Sequence, residues 1–297
     1  MVPLATLHAE HPQWQPLLVL IEAALGEAER PYWARFVPVP GHQAHDGRPL
    51  LDGAIVSVAP RLIGRWVRHL VSLAVAAGTE VEPLADALAA GRLDPSLLFE
   101  AAMSHDVDRF DEIARVETDY RGLLQGLASL IAMPLLQACR RAWAEHMPRW
   151  ACDYCPVCGG WPALAEIRGL DGARHLRCGS CGSDWRTERL HCPFCGEPDH
   201  ENLGILVSPD DLGRHAIEVC DACRGYLKTF TTMTAIRPGD VLLEDLATLA
   251  LDMAALERDY HRPAARERAV AVGVVAEPRR LRDLLSLRAL GDRFLDG

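Results

Sequence analysis

Apolar residues recur at intervals of three and four through the first half of the chain, the period of helices with one buried face. Residues 14–30 place Leu17, Leu18, Ile21 and Leu25 on one side. The stretch 31–51 interrupts the pattern with Pro31, Pro38, Pro40, Gly41, Gly47 and Pro49, and reads as a loop. Pro60 suits a helix start, and Leu62, Ile63, Trp66, Val67, Leu70, Leu73 and Ala74 follow in helical spacing up to a stop at Gly78. Shorter helices are predicted over 82–90, 94–104 and 107–116, and a long apolar one over 119–146. These elements predict a helical bundle over residues 1–150.

The pattern changes after Trp150. Residues 163–168, 175–177, 185–190, 203–207, 217–219 and 226–233 are β-prone runs of strand length, set between Cys-Gly turns. Helical spacing returns at 241–260, with Leu242, Leu246, Leu249 and Met253 on one stripe, and Pro263 closes it. An apolar patch at 269–276 and a helix candidate at 278–294 complete the tail. The expected fold is mainly α with a small β segment. It divides into a helical domain (1–150), a tandem metal-binding region (151–235), and a C-terminal helix with a divergent tail (236–297).

Cysteine placement adds chemistry to this outline. Nine of the ten cysteines lie between Cys152 and Cys223. Four C-x-x-C pairs stand in order: Cys155/Cys158, Cys178/Cys181, Cys192/Cys195 and Cys220/Cys223. Gly159, Gly182 and Gly196 follow three of them directly, and Arg224 stands in that place in the fourth. Two intervening residues allow a tight turn that turns both sulfurs to one side, and the glycine supplies the positive φ such a turn needs. Two such knuckles close a tetrahedral S4 site of the kind that holds zinc or iron. The spacing favours two sequential sites, Cys155/Cys158/Cys178/Cys181 and Cys192/Cys195/Cys220/Cys223; crossed pairings stay open, since four knuckles combine in three ways. The C-P-x-C-G wording of the first and third knuckles resembles that of rubredoxins. Eight ligands in two closed sites leave no open position for a substrate. Cys152 reads as a spare thiol or an alternative ligand, Cys139 as a core residue, and His191 as a surface histidine or an extra ligand.

Charge and missing motifs narrow the function. The 297 residues carry a formal charge of −10. Residues 151–230 hold eight Arg/Lys against twelve Asp/Glu, and two thiolate-bound divalent ions would leave that segment near −8. Such a segment repels phosphate, so nucleic-acid binding is not expected. No apolar run reaches a membrane-span length of about 18 residues. The first residues lack a signal-peptide pattern, so a cytoplasmic location is expected, where cysteine pairs serve metal rather than disulfides. No phosphate loop, dinucleotide fingerprint or H-E-x-x-H motif is present, and no catalytic residues are assigned.

Local wording then resembles one family, the formate dehydrogenase accessory protein FdhE. The resemblance runs through Tyr154–Gly159, Leu176–Cys181 with Trp185, His191–Gly196, Glu218–Lys228 and Asp245–Asp252. It implies a cytoplasmic, non-enzymatic factor that assists maturation of formate dehydrogenase and binds its catalytic subunit. It also implies that the eight knuckle cysteines hold two metal ions, iron or zinc. The competing expectation is a rubredoxin-like electron carrier acting on a redox partner. Arg224 and the tail beyond Pro263 depart from the family pattern. Trp161, Trp185 and Phe194 are expected either as an exposed aromatic patch or packed around the knuckles, and Tyr226 and Lys228 as interface residues or as the end of a strand.

Overall fold

The computed structural model describes residues 3–41, 47–79, 81–106, 108–109, 112–113, 121–147, 150–207, 213–263 and 270–277. The helix expected over 107–116 lies largely outside these residues, and the one expected over 278–294 wholly so. In chain order the helices are α1 (Leu4–Glu10), α2 (Gln15–Ala28), α3 (Pro60–Ala76), α4 (Glu82–Ala89), α5 (Pro95–Ser104), α6 (Arg121–Ala142), α7 (Val241–Ala247) and α8 (Leu249–Leu256). The strands are β1 (Ala54–Val58), β2 (Pro162–Arg168), β3 (Ala173–Cys178), β4 (Asp184–Arg186), β5 (Leu203–Val207), β6 (His215–Cys220), β7 (Tyr226–Thr232) and β8 (Val272–Ala276).

Local signals explain several boundaries. Pro60 opens α3, whose Ile63, Trp66, Val67, Leu70 and Ala74 are buried. Asp94 caps α5 by accepting from the Ser96 amide at 2.8 Å, with Pro95 in the first turn. In α2 the buried face carries Leu18, Leu20, Ile21, Ala24 and Ala28, while Leu17 is 42% exposed, so the helix is turned from the face its leucines suggested. Within 31–51, a short 3₁₀ helix at Pro31–Phe36 buries Trp33 and Phe36.

The expectation of a mainly α fold is corrected by the strands: the described residues are 44% helical and 19% strand. Six strands form one sheet in the order β4-β3-β2-β7-β6-β5, and β1 and β8 form a second. Each run looks like a small hairpin in isolation. What joins them is the parallel pairing of β2 with β7, from Leu164↔Lys228 to Arg168↔Thr232, which no local pattern encodes. The apolar patch in the tail is β8, which pairs in parallel with β1 from Ala54↔Val272 to Val58↔Ala276.

The expected single helix over 241–260 is also corrected: it is two helices that meet at Thr248. The Thr248 hydroxyl donates to the Glu244 carbonyl at 2.9 Å, competing with the main-chain ladder. Met253 is consequently 58% exposed, while Asp252 is turned inward.

Two buried ion clusters brace the sheet. Glu166 on β2, fully buried, pairs with Arg177 and Arg168 and accepts from the Thr232 hydroxyl and the Ile236 amide. Lys228 on β7, equally buried, contacts Asp245 at 2.8 Å and Asp252 at 2.7 Å, and Arg262 contacts the same two carboxylates. Tyr226 donates to Asp252 at 2.7 Å. Tyr226 and Lys228 therefore lie at the start of β7 and anchor it to α7 and α8.

Candidate metal centres

Four knuckles share one main-chain pattern. The amides of Cys155, Cys178, Cys192 and Cys220 donate to the carbonyls of Gly160, Ser183, Glu197 and Gly225, at 2.9–3.0 Å. In the first three, the glycine amide also donates back to the first cysteine's carbonyl. Gly159, Gly182 and Gly196 have φ of 78°, 74° and 77°, and Arg224 takes the same left-handed region at 58°. The fourth turn thus keeps the conformation without the glycine. Arg224 is held there by Asp221 at 2.8 Å, by the Arg258 carbonyl at 2.6 Å and by the Tyr260 ring under its guanidinium.

The structure gathers the eight sulfurs into two groups, Cys155/Cys158/Cys178/Cys181 and Cys192/Cys195/Cys220/Cys223, each with all sulfurs within 4.8 Å of one another. In the first group, Cys155–Cys181 and Cys158–Cys178 are 3.5 Å apart and Cys158–Cys181 is 3.8 Å. In the second, Cys192–Cys223 and Cys195–Cys220 are both 3.7 Å. A tetrahedron with metal–sulfur bonds of about 2.3 Å has edges of about 3.8 Å. Disulfide sulfurs sit at about 2.05 Å. Both groups therefore fit a metal ion, and the donor set suits zinc or iron equally.

Electrostatics supports the same conclusion. Contact with the Cys155 sulfur raises the Cys158 thiol well above the usual thiol range, and burial does so for Cys181. Cys178, bonded by Cys155, Cys158 and Cys181, is lowered. Thiolates at these distances repel one another, so ionising all four needs a cation at the centre. In the second group burial raises Cys192 and pushes Cys223 up to about 11. Burial also raises Cys220, but the amides of Cys223 and Ala222 outweigh it and lower that thiol.

The two centres differ in exposure. All four cysteines of the first are buried, against the same apolar core as the helical half. Leu50 and Leu51 donate to the carbonyls of Pro156 and Val157 at 2.8 and 3.0 Å, stitching the knuckle to the helical half. Two further contacts were not legible in the cysteine spacing. Ser183 Oγ lies 3.0 Å from Cys181 Sγ. Arg140 on α6 is held below the usual guanidinium range, mainly by burial, and the charge at Cys181 opposes that shift. In the second centre Cys192 and Cys220 are buried, Cys223 is half-buried and Cys195 is exposed.

Neighbouring residues fall outside the groups. Cys152 is a half-buried thiol beside Gly47, and Cys139 is buried in α6. His191 contacts Asp153 at 2.6 Å rather than a sulfur. Trp161 and Phe194 pack edge to face with centroids 5.5 Å apart, and Trp185 is buried, so the aromatics pack around the knuckles.

Comparison with known proteins adds a family resemblance. Residues 154–189 match the FdhE central domain and residues 191–267 the FdhE C-terminal domain. A protein FdhE homolog from Aquifex aeolicus is 35% identical over 120 residues, 39% of this chain and 41% of that protein. Another, from Pseudomonas aeruginosa, is 38% identical over 114 residues, 36% of this chain and 37% of its own length. The matches thus span about two fifths of these curated relatives. The crystal structure of the FdhE protein from Pseudomonas aeruginosa has a TM-score of 0.56 with this chain, covering 88% of it and 91% of the other, at 23% identity. That likeness shows a shared fold. Over residues 154–267 the chain is therefore similar to the central and C-terminal domains of the FdhE family.

Proposed function

We propose that this chain is a cytoplasmic accessory factor in the maturation of a formate dehydrogenase, docking the catalytic subunit through its metal-knuckle module and catalysing no reaction itself. The family match over residues 154–267 carries the reading. Cys155, Cys158, Cys178 and Cys181 hold one ion, and Cys192, Cys195, Cys220 and Cys223 a second, each iron or zinc. Closed S4 sites suit a rigid recognition surface, because every ligand position is already taken. Among the described residues no helix is long and apolar enough to cross a membrane. The test is capture of the tagged chain from cells making formate dehydrogenase, alongside enzyme activity in a deletion strain. Recovery of the catalytic subunit and loss of activity are expected; no recovery together with normal activity overturns the reading.

A second reading, a rubredoxin-like electron carrier, is favoured by the exposure of Cys195 and Cys223 in the second centre. Iron bound there would supply one-electron redox chemistry close to solvent. Anaerobically purified protein would then show visible absorption that bleaches on reduction. Colourless protein with about two zinc ions per chain rules it out.

A further inference from the structure

Knuckles and strands repeat as a unit. The first unit runs knuckle, β2, β3, knuckle, β4, and the second runs knuckle, β5, β6, knuckle, β7. The sheet order β4-β3-β2-β7-β6-β5 therefore reads third-second-first, then third-second-first again. The units stand side by side in one orientation, and the first strand of one accepts the third strand of the next in parallel. In the second unit the equivalent first strand is β5. Among the described residues no strand lies on its outer edge.

That edge lacks the usual protection. β5 reads Leu203-Gly204-Ile205-Leu206-Val207, without charge or proline, whereas exposed edges normally carry lysine, proline or a bulge. Ile205 is 67% exposed and Val207 64%, with Leu190 at 67% nearby. One face of this half-sheet is covered by α8, where Ile217, Val219 and Tyr226 pack on Ala255. On the other face a cavity of about 260 Å³ lies among Leu190, Phe194, Leu203, Ile205, Leu227 and Thr229. Among the described residues the Thr229 hydroxyl is buried in that wall with no hydrogen-bond partner, an arrangement that costs free energy.

We propose that an extended apolar segment of the client protein adds to β5 in parallel as a seventh strand, its alternate side chains entering this cavity. Main-chain hydrogen bonds would give affinity, and the cavity would select side chains. The β2–β7 seam is the precedent within the same molecule, five residues in parallel register. A second copy of this chain fits less well. Its complementary edge is β4, which has three residues, two of them charged, against five uncharged ones on β5. The inference deepens the docking role proposed above and rests on it for the client's identity.

The test uses the metal-loaded full chain and a fluorescein-labelled peptide with the sequence of residues 226–232, the strand that fills the equivalent edge in the first unit. Saturable binding by anisotropy is expected, with slowed hydrogen exchange at the β5 amides. Ile205→Lys and Val207→Lys should each weaken binding about tenfold or more, since a lysine on the edge opposes pairing. Ile55→Lys, at an equally exposed position on β1, should leave it unchanged. No binding at millimolar peptide, or binding indifferent to both β5 substitutions, overturns the proposal. If Ile205→Lys loses its metal, Val207→Lys and the exchange pattern decide. Self-association of the free chain that Ile205→Lys abolishes would assign the edge to a second copy and also overturn it. Formate dehydrogenase takes no part in this assay, so failure here and failure of the capture experiment are distinguishable.

Discussion

Gly182 and Gly196 occupy the same turn position with φ of 74° and 77°, yet their surroundings differ. A Cβ on Gly182 would lie 2.6 Å from both Cβ and the carbonyl oxygen of Pro238, whereas one on Gly196 would meet nothing nearer than 3.9 Å. Gly196→Ala should therefore cost about 1–2 kcal/mol, the left-handed penalty alone. Gly182→Ala adds a backbone clash and should cost about 2–5 kcal/mol in all. Urea unfolding of the metal-loaded variants distinguishes them; equal losses would show that Pro238 yields freely. Arg224 inverts the case, since its side chain offsets the strain. Arg224→Gly relieves the backbone but loses Asp221, two carbonyl contacts and the Tyr260 ring, so its net effect should stay within about 1 kcal/mol. Arg224→Val keeps the strain and loses the contacts, and should cost about 2 kcal/mol or more by the same assay. The three glycine turns were legible because C-x-x-C-G states both ligand spacing and backbone conformation. The Arg224 turn was not, because the carbonyls and ring that hold it come from residues 258–260, far along the chain.

At the scale of elements, a buried charge decides how the C-terminal helices lie. Leu242, Leu246, Leu249 and Met253 form a plausible helical stripe, but Lys228 under the helices requires carboxylates. Asp245 and Asp252 face it, with a break at Thr248 between the two helices. Periodicity registers apolar positions and cannot register a lysine brought in by β7. Lys228→Met removes one of the two cations and leaves both carboxylates to Arg262. Its expected cost is about 3–5 kcal/mol, read as a lowered urea midpoint. Burial raises Asp245, but Arg262 and Lys228 outweigh it and hold the carboxyl below its usual range. Its contribution to stability is therefore complete above an unfolded pKa of about 3.9, and is lost as pH falls from there through the lower folded value. Asp245→Asn should be less stable at neutral pH and should fall less steeply than the parent in that acid window. Parallel curves for the two proteins would place the acid sensitivity elsewhere.

For the whole molecule, the decisive asymmetry lies between the two metal centres. The sequence presents two similar sets of four cysteines and gives no sign that one would be enclosed and the other open. Enclosure comes from contacts far apart in the chain. The first knuckle is stitched to Leu50 and Leu51, its cysteines join an apolar cluster that reaches from Leu7 to Val270, and β1 is paired with the tail strand β8. These pairings were invisible to local periodicity, which is why the β content was underestimated while individual strand positions were mostly legible. The consequence is kinetic. A chelator or alkylating agent can reach Cys195 and Cys223 from solvent, but reaches Cys155, Cys158, Cys178 and Cys181 only after the packing between the halves opens. Metal release into a coloured chelator should therefore occur in two phases of about one ion each. Iodoacetamide with mass spectrometry should find Cys195 and Cys223 labelled in the fast phase, and the first set only in the slow one. Cys195→Ser should abolish the fast phase's ion and leave the slow phase intact. Subdenaturing urea should accelerate the slow phase alone, because only that release is limited by opening the core. A single phase labelling all eight cysteines together would mean that the enclosure opens as readily as the exposed site.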